Sequence, residues 1–159
     1  MINEFKINNK YRHEAQVHLN EILKPYEHVL DPEWKNLKDD GINAEWVHVP
    51  NDGWEKREIR KTILYFHGGA YYLRNKDSSR NFTCSLAKWT NARVLAISYR
   101  LAPQNPFPAA LQDALAAYFA GGGLSLALGL AIRDAGLPSC AGISCWGPWV
   151  DLTHSTPSI

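Results

Sequence analysis

The sequence predicts an α/β fold with a mostly parallel sheet, and two observations carry that reading. The stretches Lys61–Gly69 (KTILYFHGG) and Ala92–Arg100 (ARVLAISYR) are short, unbroken apolar runs bounded by glycine or charge. Such runs mark strands buried on both faces, as parallel strands are. Segments of helical character lie between and after them. The order strand, helix, strand, helix, helix, strand is that of parallel crossovers.

The elements follow in chain order. Lys10–Lys24 sets Ala15, Val17, Leu19, Ile22 and Leu23 among charged residues, an amphipathic helix that Pro25 ends. Residues 25–42 are turn-rich and predict only short helical turns. Asn43–Pro50 (NAEWVHVP) reads as an edge strand, with Trp46 out of phase with Val47 and Val49, and Asn51–Trp54 as a turn between strands. Asp77 or Ser78 is the candidate N-cap of a helix carrying Phe82, Leu86 and Trp89. Prolines 106 and 108 suit the first turn of a helix that runs to Tyr118. Ala120–Pro138 predicts another helix, closed by Gly136 and Pro138. Ala141–Trp149 (AGISCWGPW) reads as a third short strand ending at Gly147-Pro148.

Composition narrows the function classes. With 159 residues and 45% hydrophobic content the chain supports one domain with a core. A formal net charge of +1, with no basic tract, gives no electrostatic case for nucleic acid. Cys84, Cys140 and Cys145 form no CxxC pair and read as reduced, buried thiols of a cytoplasmic protein. The polar start MINEFKINNK has no apolar signal-peptide region. His13 and His18 are five apart, not the four that places two histidines on one helix face, so no metal site is expected there. Ala114–Ile132 is uncharged and nominally long enough to cross a bilayer. It holds four glycines between Asp113 and Arg133 and reads as two joined helix ends, so a membrane span is kept only as a further alternative.

The stretch His67-Gly68-Gly69-Ala70-Tyr71 leaves the C-terminal end of a predicted strand, the edge where open α/β sheets gather their sites. Paired glycines let successive N–H groups point at one spot, as an oxyanion requires; a tight strand-to-loop turn is the plain alternative. Three blocks follow: YRLAPQNPFPAALQDALAAY, AGGGLSLALGLAIRDAGLP and PWVDLTHS. Together, over Trp46–Ile159, they resemble the hormone-sensitive-lipase-type α/β-hydrolases, a family of esterases, lipases and arylacetamide-deacetylase-like enzymes. The N-terminal helix resembles the cap region of such enzymes. The resemblance implies a cap-like segment 1–42 and a partial hydrolase domain 43–159.

It also implies roles. His67-Gly68-Gly69-Ala70 matches the family's HGGG-type motif, with Gly69 and Ala70 where oxyanion N–H groups are supplied. His67 would brace that loop rather than act as a base, and Arg100 would tie loops together. The family's G-D-S-A-G-G block survives only as Ala120-Gly121-Gly122, with Ala120 as the third oxyanion donor. Phe119 stands at the serine position and Tyr118 at that of the acid, so no nucleophile is present. The strand before the serine is missing between Tyr118 and Ala120, a loss of roughly two to three dozen residues given that a βα unit needs about thirty.

The family's acid and histidine lie beyond the DLTHS block and are expected to be absent. Ser125, Ser144 and His154 do not match any triad position. The expected fold is an incomplete α/β-hydrolase lacking the nucleophile strand, with exposed strand edges and poor folding on its own. By resemblance the chemistry is carboxylic-ester hydrolysis through a serine acyl-enzyme, without metal or cofactor, and this chain is expected to be inactive. The alternative is a non-catalytic protein binding a small ester, an acyl ligand or a partner. The sequence carries no signal for acyl preference or oligomeric state.

Overall fold

A computed structural model describes residues 1–25, 41–49, 61–121 and 126–145. Among these residues four strands form one sheet: β1 (Ile2–Ile7), β2 (Ile42–Val47), β3 (Thr62–Phe66) and β4 (Arg93–Ser98). Their order across the sheet is β1-β2-β4-β3. The pairs β1–β2 and β2–β4 are antiparallel, and β3–β4 is parallel. The parallel pair is the two apolar runs read from the sequence. The α-helices among the described residues are α1 (Lys10–Ile22), α2 (Arg80–Thr90), α3 (Ala109–Gly121) and α4 (Leu126–Asp134). The connection from β3 through α2 to β4 is the crossover that parallel pairing demands.

Side chains alternate across the sheet with period two. On one face Ile42, Ala44, Leu64, Leu95 and Ile97 meet Ala15 and Leu19 of α1 and Leu115 of α3. On the other, Val47 and Val94 meet Ala87 of α2. In α1 the buried residues Arg12, Ala15, Gln16 and Leu19 follow the i, i+3, i+4, i+7 spacing of one helix face.

Several expectations are corrected. The polar N-terminus forms strand β1, an element without a sequence signal because five of its six residues are exposed. Through β1, β2 becomes an interior strand rather than an edge. Residues 1–25 supply β1 and α1 to the common sheet and core. β4 is buried through four consecutive residues, but β3 is only half-buried apart from Leu64. It is the outermost strand among the described residues, so nothing there covers its far side. Val17 and Trp89 point to solvent, at 65% and 72% exposure. The three thiols are free but not buried: Cys84 is exposed and the others are partly so.

The third strand is not formed in its described part. Residues 141–145 have no strand structure, and Ile143 instead leans on α4, where a Cβ on Gly129 would meet its Cδ1 at 2.6 Å. A strand needs a neighbour to pair with, and no described strand lies beside this segment. The uncharged run 114–132 belongs to α3 and α4, and no described helix is long and apolar enough to cross a membrane. The expected turns in residues 26–40 and 51–54 lie outside the described residues, as do Gly122, Ser125 and His154.

Candidate oxyanion loop and its supports

The loop 67–74 leaves β3 at its C-terminal end. Gly69 has φ +131°, and a Cβ there would lie 2.2 Å from the Leu73 carbonyl oxygen. Only glycine fits. Its own carbonyl accepts from the N–H groups of Tyr72 and Leu73, each at 2.9 Å. Ala70 and Tyr71 follow with φ of 52° and 60°, so three successive residues have positive φ. The turn is pinned where Ala102 N–H donates to Tyr71 O at 2.9 Å. Among the described residues no acceptor takes the N–H of Gly69 or Ala70.

His67 holds the base of this loop and is 2% exposed. Its ring stacks on Tyr99 with centroids 4.3 Å apart and planes 6° from parallel. Nδ1 lies 3.0 Å from Gly68 O, which assigns the proton to Nδ1 and leaves Nε2 as a buried acceptor without a described partner. Burial, outweighing the Gly68 contact, pushes the imidazole pKa down. The Tyr99 hydroxyl donates to His67 O at 2.6 Å. Burial first, then the neighbouring Tyr71 and Tyr65, push that hydroxyl up to about 12, so it remains a donor. Tyr71, Tyr72 and Leu73, at the tip, are exposed.

Two ion networks, one buried and one partly exposed, hold the elements that carry the loop. Asp113 of α3 is completely buried. It accepts from Arg12 Nε of α1 at 2.7 Å and from the backbone N–H of Arg100 at 2.9 Å. Arg100 Nε lies 3.0 Å from the same carboxylate, and its guanidinium also reaches Ala109 O and Gln112. Gln112 in turn donates to Gln16 of α1. Arg100 thus fastens the segment after β4 to α3, as the resemblance implies.

The second network starts from strand register. Glu4 and Glu45 are directly opposed across β1 and β2, and like charges so placed repel. Cations resolve the conflict. Lys76 Nζ sits 2.8 Å from Asp77, 3.1 Å from Glu4 and 3.4 Å from Glu45. Arg80 bonds both Glu4 and Glu45. Burial alone would lower the Lys76 pKa, but its bonds to Asp77 and Glu4 and the charge of Glu45 raise it. The bond from Lys76 holds the Glu4 and Asp77 carboxyls below their ordinary range. The three carboxylates lie within 4.8 Å of one another, but the Lys76 ammonium takes the place among them that a metal ion would fill.

The remaining motif residues are placed elsewhere. Phe119, Ala120 and Gly121 lie in the last turn of α3, where backbone N–H groups point back along the helix and carbonyls face outward. Ser144 lies in the irregular segment after α4. Sequence reasoning missed Asp113, Arg12, Glu45 and Lys76. The signal for Asp113 was a lone charge in an otherwise apolar helix, whereas Lys76 lies in the loop before α2 and had none.

The strand order, the parallel pair and the glycine turn after β3 together select a fold. A family model described as the alpha/beta hydrolase fold matches residues 63–119. An acetyl-hydrolase of Streptomyces hygroscopicus is 39% identical over 127 residues, 69% of this chain and 40% of that protein. An esterase of the bacterial hormone-sensitive lipase family superposes with a TM-score of 0.60 at 26% identity, covering 90% of this chain and 57% of that one. The chain belongs to the hormone-sensitive-lipase-type α/β-hydrolases. The chain is also similar to a 3-O-acetylpapaveroxine carboxylesterase of Papaver somniferum, 45% identical over 62 residues, 38% of this chain and 19% of that protein. It spans about 40% and 35% of the lengths of the acetyl-hydrolases it matches. The matched stretch of the hydrolase model runs from β3 into the end of α3, and so contains the loop and the Arg100–Asp113 clamp.

Proposed function

We propose that this chain is the oxyanion-loop half of a carboxylic-ester hydrolase whose nucleophile unit is deleted, and that it does not hydrolyse esters. The course of α3 carries the reading. A nucleophile elbow is a strand, a sharp turn and a helix, with the serine at the turn. Here α3 continues as helix through Phe119 and Ala120 to Gly121, and Phe119 has no nucleophilic atom. The names of the similar proteins, acetyl-hydrolase and carboxylesterase among them, support ester chemistry for the parent scaffold. That chemistry is serine attack, acyl-enzyme formation and hydrolysis, which calls on no metal or cofactor. Without the serine, what remains is the background from oxyanion donors and binding, about 10³–10⁴-fold over water where triads have been dismantled.

The test is turnover of p-nitrophenyl butyrate together with labelling by a fluorophosphonate probe. Neither is expected. Turnover with a label on Ser125 or Ser144 would overturn the reading. Sequencing the transcript across the codons for Tyr118 to Ala120 tests the deletion itself, an in-frame segment encoding Gly-Asp-Ser being the expected find in the parent message. A second reading, a binding protein for a small ester or acyl ligand, is favoured by the N–H groups of Gly69 and Ala70, which no acceptor among the described residues takes. Neither reading calls on nucleic acid or a membrane.

A further inference from the structure

Among the described residues the sheet has two outer edges, and they are built differently. β1 carries Glu4 and Lys6, charges of the kind that blunt an edge against further pairing. β3, with the sequence TILYF, carries no charge and no proline. Both faces of β3 are in use. Leu64 and Phe66 pack into the core beneath α1 and α3, while Ile63 and Tyr65 pack on the α2 side. The Tyr65 ring lies 5.5 Å from that of Phe82. What is open is the line of backbone N–H and C=O groups along the outer edge, which no described strand pairs with. Such groups call for an extended chain.

We infer that β3 pairs antiparallel with β3 of a second copy of this chain, joining two four-stranded sheets into one. The strand is complementary to itself. A two-fold axis at Leu64 sets Leu64 opposite Leu64, Ile63 opposite Tyr65 and Thr62 opposite Phe66, so no like charges meet. Branched, aromatic and aliphatic pairs of this kind stabilise antiparallel ladders. One residue outside, Lys61 faces the His67 position of the second copy rather than another lysine. The contact is isologous and closes at two copies, leaving the two charged β1 edges outermost. The inference rests on the sheet edge and not on the missing serine, so the ester assay and the association test fail separately.

Sedimentation velocity and hydrogen exchange on the unmodified chain test it. The expected result is a particle of two 17.9 kDa chains in which the Thr62–Phe66 amides exchange slowly, and faster on dilution into monomer. Tyr65→Lys places a charge at the seam and is expected to weaken dimerisation by about tenfold or more, with unchanged circular dichroism, while Tyr65→Phe stays dimeric. A monomer at every concentration overturns the inference, including one with protected 62–66 amides, where another segment of the same chain holds the edge. A dimer whose 62–66 amides exchange freely overturns it too, as does open-ended assembly. Should Tyr65→Lys fail to fold, exchange in the unmodified chain decides.

Discussion

Arg12 of α1 donates through Nε to the Asp113 carboxylate of α3 at 2.7 Å, across 101 residues of sequence, with both side chains out of contact with water. Arg100 grips the same carboxylate from the segment that follows β4. One buried acid thus joins the N-terminal helix, the strand end and α3. Removing one partner of a buried ion pair strands the other charge, which typically costs about 3–5 kcal/mol. Asp113→Ala should therefore lower stability by about that much, because it strands two guanidinium groups. Urea denaturation measures it, and a loss under about 1 kcal/mol would show that the network is peripheral.

The Glu4–Glu45 pair gives a contrast within one network. Glu45 is fully buried between Lys76 and Arg80, whereas Glu4 is 58% exposed at its side chain. Glu45→Ala should destabilise by about 3 kcal/mol, since it leaves the buried Lys76 ammonium short of a counter-charge. Glu4→Ala should leave the midpoint almost unchanged, because water screens the exposed partner. Equal effects of the two substitutions would contradict the burial argument.

Backbone conformation gives opposite signs within the glycine loop. Gly69→Ala forces a Cβ into the Leu73 carbonyl and should cost more than about 1 kcal/mol. Arg74 is exposed with φ 76°. A non-glycine residue pays roughly 1–2 kcal/mol in that region, so Arg74→Gly should be neutral or stabilising by up to about 1 kcal/mol. Thermal melts of the two variants should bracket the parent.

Burial lowers the His67 pKa from its ordinary 6.5. The fold prefers the neutral ring, while the unfolded chain takes up a proton as pH falls through 6.5. This contribution is fully present above 6.5 and is lost as pH drops toward the folded-state value. Glu4 and Asp77, held low by Lys76, act in the same direction in a more acidic window, below their ordinary 4.5 and 3.8. The denaturation midpoint should fall between about pH 7.5 and pH 5.5. In His67→Phe, which keeps an aromatic ring against Tyr99, that part of the slope should flatten.

The family markers were local and so legible in the sequence. KTILYFHGG and ARVLAISYR fixed the parallel pair, since short unbroken apolar runs bounded by glycine or charge have few other uses. HGGA fixed the turn, because φ +131° at Gly69 admits no side chain. That Phe119 stands where the resemblance expects a serine is a reading of the sequence alone. What only the tertiary structure decided was set by partners distant in the chain. β1 is a strand because it pairs with β2 over six residues, and Lys76 and Arg80 offset the repulsion where Glu4 faces Glu45. Asp113 is an acid in an apolar helix until Arg12 and Arg100 arrive. Segment 141–145 has strand-like composition and forms no strand, for a strand is defined by its neighbour's hydrogen bonds and not by its own residues.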